Sequence, residues 1–243
     1  MEIFGKTDTG KLREMNQDNF SYELLNEEVC FAFVCDGMGG PNGGKIASEI
    51  ATNVLCENFS SKLKVDLNSH QIQKVVQDAF LKANFEILNC AKNDKNLAGM
   101  GTTVVGAVIS KNNLHIFNIG DSRAYVFTGC GLKQLSVDHS YVQTLINCGK
   151  LTAEEARFHP RKNEITKAMG ISEKIDYDFN SFVVNRDEIV LFCSDGLTNI
   201  CSEDEIFKIL KSRVSLKQKV FNLIDCANSY GGYDNVTVIL IKI

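Results

Sequence analysis

Short apolar runs alternate with longer stretches of helical periodicity along this chain. The runs are rich in β-branched and aromatic residues and are bounded by glycine, asparagine or aspartate, a pattern typical of strands. They cover residues 29–35, 102–109, 114–119, 123–127, 189–193 and 236–243. Because the runs are apolar almost without interruption, we expect sheets that are covered on both faces.

Three longer stretches carry apolar residues at helical spacing. The first stretch follows a glycine-rich loop. Its apolar residues are Ile46, Ile50, Val54 and Leu55; those of the second are Ile72, Val75, Val76, Ala79, Phe80, Ala83, Ile87 and Ala91; and those of the third are Leu216, Val220, Leu223, Ile224 and Ala227. Ser202 with Glu205, and Thr152 with Glu155, match capping boxes, which mark helix starts. The short connections between 102 and 127 predict antiparallel pairing. Two sheets with helices outside them would cover every apolar face, although periodicity alone leaves that arrangement open.

The composition is that of an ordinary globular protein, with 243 residues, 44% of them hydrophobic, and a net charge of −4. No linker or repeat interrupts the sequence, so we expect a single domain over residues 1–243. The 26 basic residues are scattered, which argues against a nucleic-acid or membrane-surface partner. The first twenty residues contain no apolar stretch of the signal-peptide kind, and no apolar run could span a bilayer. We therefore expect a cytoplasmic protein.

Nine cysteines occur, none of them in a C-x-x-C pair. Cys30 and Cys35 share one predicted strand and, five positions apart, should lie on opposite faces of it. Reduced, mostly buried thiols are favoured over a disulfide scaffold. No cysteine is followed by arginine six residues later, which excludes the phosphate loop of cysteine-based phosphatases. Kinase chemistry is excluded as well, because the sequence has neither a glycine-rich phosphate loop nor an H-R-D segment.

Four aspartates lie at the ends of predicted strands. Asp36, Asp121 and Asp195 follow apolar runs, and Asp234 precedes the last one. Three of the four are next to a glycine, and a single Asp-Gly or Gly-Asp pair would by itself indicate only a turn. Four carboxylates beside a core, however, cost free energy unless they are paired or bind a metal. No comparable set of lysines or arginines accompanies them, so the pattern favours a metal centre.

Oxygen-only ligands suit hard cations such as Mg²⁺ or Mn²⁺ rather than zinc. Gly37 would let its own backbone carbonyl approach such an ion closely. Two cations that share a carboxylate lower the pKa of a bridging water and neutralise the charge of a phosphate. Arg13, whose forked donors match phosphate oxygens, is the candidate substrate-binding residue. Taken alone, Arg13 would be a surface charge.

Seven segments stand in order along the chain: TDTGKLREMNQDN, FVCDGMGGPNGGKIAS, GMGTT, IGDSRAY, DHSYVQTLINCGKLTAEEARFHPRKNEIT, LFCSDGLTN and GGYDNVTVIL. Together they resemble the protein phosphatase 2C family in its bacterial serine/threonine type. The resemblance implies an α+β fold of two packed antiparallel β-sheets flanked by helices, an αββα sandwich with a small flap subdomain at about 139–167. It also implies hydrolysis of phosphoserine and phosphothreonine by direct attack of a water or hydroxide that bridges two Mg²⁺ or Mn²⁺ ions.

The resemblance further implies roles for the metal ligands. Asp36 would bridge both ions and the carbonyl of Gly37 would bind one of them. Asp195 and Asp234 would bind the other. Asp121, together with Asp195, matches a weaker third metal site.

Two more residues carry catalytic expectations from the same resemblance. Arg13 matches the phosphate-binding arginine, and Asp18 matches a position that contacts metal-bound water. The expected partners are phosphorylated proteins, namely a serine/threonine kinase and its substrates, and we expect a monomer. The segment 139–167 would act as a mobile flap that contacts substrate, although a plain surface helix-turn-helix would have the same sequence pattern.

The chain departs from the family pattern at two places. Pro41 stands where bacterial members often have a histidine after DGMGG, so a histidine general acid is missing there and water would have to supply the proton. The flap reads His159-Pro160-Arg161-Lys162-Asn163 instead of HP-x-RN. We expect His159 and His139 to be structural.

Two other functions remain open on the sequence alone. A non-catalytic relative that binds phosphoproteins would have the same fold, but it would be expected to lack some of the aspartates. A metal-dependent phosphoesterase for small molecules would keep them. A phosphopeptide compared with a sugar phosphate or nucleotide would separate the second alternative from a protein phosphatase.

Overall fold

The computed structural model describes residues 1–243, apart from the side chain of Pro41. Two antiparallel sheets form its centre. The first has the strand order β1 (Glu2–Asp8), β11 (Val236–Lys242), β10 (Ile189–Cys193), β7 (Arg123–Phe127) and β8 (Leu132–Gln134). The second has the order β2 (Asp18–Leu24), β3 (Val29–Met38), β5 (Val104–Ser110), β6 (Asn113–Ile119) and β9 (Asp178–Val183), with β4 (Gly101–Thr102) paired to the end of β3.

Helices cover the outer face of each sheet. The long helices α1 (Gly40–Lys62) and α2 (Ser69–Asn93) pack against the second sheet. Helices α6 (Glu203–Lys211) and α7 (Leu216–Ser229) pack against the first. Three short α-helices are also present, α3 (Tyr141–Asn147), α4 (Ala153–Ala156) and α5 (Asp195–Thr198), and a 3₁₀ turn at Lys95–Leu97 follows α2.

The apolar side chains form three layers, which explains why the strand sequences are apolar without interruption. Phe31, Phe33 and Cys35 of β3 face α1 and α2, while Cys30 and the other alternate residues of β3 face the opposite sheet. The predicted separation of Cys30 and Cys35 to opposite faces is confirmed. A third layer lies between the first sheet and α7. The predicted αββα sandwich is therefore confirmed, with one layer between the sheets and one under each pair of helices.

Three predicted boundaries were wrong. The apolar run 102–109 is two strands, because Thr103 leaves the ladder and donates its amide to the Asp36 carbonyl at 2.8 Å. Strand β3 does not stop at Asp36 but continues to Met38, since its last residues pair with β4. The glycine-rich segment before Lys45 is not a loop, because α1 already begins at Gly40.

Four strands lay outside the predicted set: β1, β2, β8 and β9. Their side chains are largely half-buried or exposed, so they lack the apolar runs by which the other strands were found. Both predicted capping boxes are confirmed, at Thr152 with Glu155 and at Ser202 with Glu205. Among the described residues, no helix combines the length and the apolar character needed to cross a membrane.

Candidate active site

The predicted aspartates come together where the ends of the central strands of both sheets meet. Asp18 and Asp36 are direct partners across β2 and β3. Asp195 is the first residue of α5, directly after β10 and Ser194, and Asp234 lies just before the neighbouring strand β11. Asp121 occupies the turn between β6 and β7. The two sheets thus deliver five carboxyl groups to one edge of the sandwich.

Burial and mutual repulsion raise the pKa of these carboxyl groups. The pKa of Asp36 lies well above its usual range because of burial first, and then because Asp18 and Asp195 repel its charge. Burial, together with Asp195, raises the pKa of Asp121 to about 8. Burial and the Asp234 charge also raise the pKa of Asp195. A cluster whose members disfavour each other's charge is stabilised by a bound cation.

The donor chemistry of the site fits a hard divalent cation. The carboxyl and carbonyl oxygens at this edge match the ligands of Mg²⁺ and Mn²⁺. Within the part of the chain that the structure describes, no three His, Cys, Asp or Glu side chains are spaced as a complete metal-binding group. An ion here would therefore also need backbone carbonyl or water oxygens, which is how Mg²⁺ is usually held.

Two glycines permit the close backbone approaches that build this edge. A Cβ on Gly37 would lie 2.0 Å from the Gly44 carbonyl oxygen, so a side chain there would push α1 away from β3. A Cβ on Gly196 would lie 1.9 Å from the Asn235 carbonyl oxygen. Only glycine at 196 lets the start of α5, with Asp195, lie against the residues that follow Asp234.

Asp18 belongs to a buried hydrogen-bond network that joins the two sheets. The hydroxyls of Ser194 and Thr237 donate to its Oδ2 at 2.7 and 2.6 Å. These bonds favour the ionised carboxylate, but burial outweighs them and raises the pKa of Asp18 to about 7. Since both hydroxyls bind Oδ2, the other oxygen is left for a further donor such as water. Sequence reasoning missed Ser194 and Thr237, whose only signal was their place beside Asp195 and after Asp234.

The Gly-Thr-Thr segment fixes the backbone of Asp36. The Thr103 amide and the Thr102 hydroxyl donate to the Asp36 carbonyl at 2.8 and 2.9 Å. The Asp36 amide donates in turn to the Thr103 hydroxyl at 3.1 Å. These bonds hold Asp36 in place even though its carboxyl group is repelled by its neighbours.

Arg13 lies beside the carboxyl cluster, where it was predicted. Its Nη2 donates to Oδ2 of Asp234 at 2.7 Å, and its side chain is 53% exposed. The hydrogen bond to Asp234 raises the pKa of Arg13, with smaller contributions from Asp36 and Asp195. Arg13 thus places a positive charge directly on the carboxyl cluster, and half of its surface faces solvent where a phosphoryl group could arrive.

Asn235 holds the loop that carries Arg13, a role that sequence reasoning missed. Its side-chain amide donates to the carbonyls of Thr9 and Met15 at 2.9 and 3.1 Å. Its side-chain oxygen accepts from the Gln17 amide at 2.8 Å. The only sequence signal was its position directly after Asp234.

Asn235→Ala is expected to lower kcat/KM by roughly tenfold, since loosening the Arg13 loop forfeits about 1.4 kcal/mol of transition-state stabilisation. Inhibition by inorganic phosphate should weaken in parallel, because the loop carries Arg13, the residue expected to bind phosphate. The matched control is Asn185→Ala, where the asparagine bonds Glu188 in an exposed turn. A loss of thermal stability with unchanged phosphate inhibition would make Asn235 a structural residue only.

The predicted flap forms one side of a cleft of about 580 Å³ beside the carboxyl cluster. The cleft is lined by residues of α3, α4 and the start of α6, and by Asp121 and Asp195. The base of the flap is tied to the Asp121 turn by His139, whose Nδ1 accepts from the Gly120 amide at 3.1 Å. His159 accepts from the Arg161 amide within a turn. Both contacts are consistent with the structural roles expected for these histidines.

An ion pair lines the cleft next to Asp121. Arg123 donates through Nε and Nη2 to both oxygens of Asp138, the shortest distance being 2.7 Å. Gln134 donates to the same carboxylate at 2.9 Å. The side chain of Pro41 lies outside the described residues, so the expectation that a general acid is missing there stays a prediction.

Comparison with known proteins agrees with this geometry. The protein phosphatase 2C family model matches residues 11–235. The serine/threonine phosphatase stp of Listeria innocua is 38% identical over 239 residues, which cover 98% of this chain and 94% of that protein. The protein phosphatase PhpP of Streptococcus pneumoniae is 36% identical over 244 residues, covering 100% of this chain and 97% of that one.

A solved structure shows the same similarity in three dimensions. The serine/threonine phosphatase of S. agalactiae superposes with a TM-score of 0.92 at 32% sequence identity, covering 100% of this chain and 99% of that chain. Sequence and fold therefore agree over the full length compared. The chain belongs to the protein phosphatase 2C family, in its bacterial serine/threonine phosphatase type.

Proposed function

We propose that this phosphatase removes phosphate from phosphoserine and phosphothreonine of proteins by direct attack of water at a binuclear Mg²⁺ or Mn²⁺ centre. The use of divalent metal is general to the family. The observation that carries the proposal is the half-buried set Asp36, Asp195 and Asp234, whose charges repel one another beside the half-exposed Arg13. Asp36 and the Gly37 carbonyl would hold one ion. Asp36, Asp195 and Asp234 would hold the other together with water oxygens, once their side chains close around it from their present spacing.

Two such ions would lower the pKa of a shared water and neutralise the phosphoryl charge. The residues of the chain do the remaining work. Asp18, oriented by the hydroxyls of Ser194 and Thr237, accepts a hydrogen bond from the attacking water through its other oxygen. This orients the water toward the phosphorus and helps to carry its proton away.

Arg13 binds the phosphoryl group from the solvent side. Its guanidinium, now paired with Asp234, would fork onto two phosphoryl oxygens, and a cation held by Asp234 would neutralise the carboxylate that it leaves. Asp121 would contribute, with Asp195, to a weaker third cation at the mouth of the cleft. The cleft between the flap and α6 would receive the polypeptide on either side of the phosphorylated residue.

The proposed partners are a serine/threonine kinase and the proteins that it phosphorylates. The relatives described above bear the names of serine/threonine or protein phosphatases, which supports protein substrates over small molecules. We also propose that the protein is a cytoplasmic monomer whose domain spans residues 1–243 and whose flap spans 139–167.

Arg13→Ala is expected to lower kcat/KM for a phosphothreonine peptide by roughly 10- to 100-fold, the value of a lost charged hydrogen bond of about 1.5–3 kcal/mol. Arg13→Lys should be intermediate, because lysine keeps the charge and cannot fork. Thermal stability should change little, since the pair with Asp234 is largely exposed.

The same measurement tests the substrate class. The phosphothreonine peptide is compared with a sugar phosphate, and we expect the peptide to be preferred. If kcat/KM of Arg13→Ala stayed within twofold of the wild-type value, Arg13 would be an ordinary surface charge with no role in binding phosphate. Preference for the sugar phosphate would favour a small-molecule phosphoesterase.

A further inference from the structure

Two cysteines far apart in sequence lie in direct contact behind the active site. The Sγ of Cys201 donates to the Sγ of Cys226 across 3.1 Å, although the residues are 25 positions apart. Cys201 is buried just after α5, and Cys226 is half-buried in α7. A disulfide has an S–S distance of about 2.05 Å, so roughly 1 Å must close to form one.

The segment that carries Cys201 also positions a proposed metal ligand. Asn199 donates to Oδ2 of Asp195 at 2.8 Å, and the Cys201 amide donates to the Leu197 carbonyl at 2.8 Å. Cys201 itself lines the cleft that opens on Asp195. A displacement of Cys201 is therefore transmitted to Asp195 through one short helix.

The segment that carries Cys226 holds the other side of the site. Asn228 of α7 donates to the carboxylate of Asp8 at 3.1 Å. Just beyond α7, the Gly232 carbonyl accepts from the Lys11 amide at 2.8 Å, which anchors the loop of Arg13. The two sulfurs thus connect the Asp195 segment with the segment that supports Arg13 and leads to Asp234.

We propose that Cys201 and Cys226 are a modification site at which a peroxide converts the two thiols into a reversible disulfide. Hydrogen peroxide first oxidises the more exposed Cys226 thiolate to a sulfenic acid and releases hydroxide. The Cys201 thiolate then attacks the sulfenic sulfur, the S–S bond forms and hydroxide leaves. In sum, two thiols and one peroxide give one disulfide and two waters, and two electrons pass from sulfur to the peroxide.

The disulfide would act on both stability and turnover. It closes a loop of about 25 residues, and a cross-link of that length restricts the unfolded chain enough to raise the melting temperature by about 5–10 °C. It also moves the Asp195 and Arg13 segments relative to each other. Because displacements of about 1 Å at an active site are costly, we expect kcat/KM to fall at least about threefold.

Burial raises the pKa of the Cys201 thiol. Cys201 is therefore protonated at rest and protected from direct oxidation. The burial of Cys201 makes the half-buried Cys226 the first target and Cys201 the resolving partner.

The test uses the full-length reduced protein, stripped of metal with EDTA, treated with hydrogen peroxide and then with catalase. Peptide mapping without reductant should show the Cys201–Cys226 cross-link. The melting temperature should be higher, and the activity measured after Mn²⁺ is restored should be lower. Dithiothreitol should reverse all three effects. Cys226→Ser should abolish them, and Cys201→Ala is the second variant in case the first is unstable.

The matched control is Cys90→Ser, a half-buried cysteine of α2, which should behave like the wild-type protein. Oxidation confined to the exposed Cys130 and Cys148, or over-oxidation of Cys226 without a cross-link, would overturn the proposal. A complete cross-link with unchanged activity would refute the connection to the active site. The cross-link itself is detected in metal-free protein, so its outcome is independent of the proposed metal mechanism.

Discussion

Asp36→Asn is expected to lower kcat/KM for a phosphothreonine peptide by about 10³-fold or more, equivalent to about 4 kcal/mol of transition-state stabilisation. Asp36 is half-buried and interacts with the charges of Asp18, Asp195, Asp121 and Asp234, so it occupies the centre of the cluster. Asparagine has the same shape but lacks the charge that would bind both cations. Metal titration by calorimetry should show the loss of affinity directly.

The fold should survive this change. The carboxyl group of Asp36 is held among other acids that repel it, so removing its charge relieves repulsion rather than breaking an ion pair. The melting temperature in EDTA should therefore equal or exceed that of the wild-type protein. Asp66→Asn, the same substitution at an exposed position between α1 and α2, is the control and should leave kinetics unchanged. Substantial wild-type activity in exhaustive EDTA would contradict the metal mechanism.

Arg123→Met should destabilise the protein by about 3 kcal/mol, because it leaves the buried Asp138 carboxylate without its cation. The side chain of Asp138 is only 9% exposed, and Arg123 contacts both of its oxygens. For a chain of this length, we expect the melting temperature to fall by roughly 6–12 °C. Burial opposes the charge of Arg123, but the Asp138 carboxylate outweighs it and the pKa of Arg123 is raised.

Two further variants separate the buried ion pair from a general effect of losing arginine. Arg123→Met combined with Asp138→Leu removes both charges and should recover much of the lost stability. Arg161→Met removes a flap arginine whose pair with Glu164 is about half exposed, and it should lower the melting temperature much less than Arg123→Met does. Equal losses for Arg123→Met and Arg161→Met would mean that burial of the pair contributes nothing.

The sequence predicted the strands that carry the core and missed those that carry half-exposed side chains. Strand β10 was found because every one of its residues is buried. Strand β9 was missed because its side chains are half-buried or exposed, and its place is decided by pairing with β6, about 65 positions earlier. Local periodicity contains no information about a partner at that distance.

The candidate site shows the same division. Asp36, Asp195 and Asp234 could be predicted because a charge at the end of an apolar run needs an explanation. Asn235 and Thr237 could not, since asparagine and threonine near a turn are ordinary turn chemistry. Their roles exist only after β11 lies beside β10 and the first loop folds over it, a contact between opposite ends of the chain.

In the proposed mechanism, the network around Asp18 makes turnover depend on the spacing of the two sheets. Asp18 belongs to one sheet, while the two hydroxyls that hold its carboxylate lie at the ends of strands in the other. The layer that separates the sheets contains the fully buried Val34 and Ile239. A methylene gained or lost in that layer would shift one sheet against the other and rotate Asp18 before it unfolded anything. If Asp18 has its proposed role, residues between the sheets answer to turnover as well as to stability, and variants there are expected to show slow catalysis in a well-folded protein.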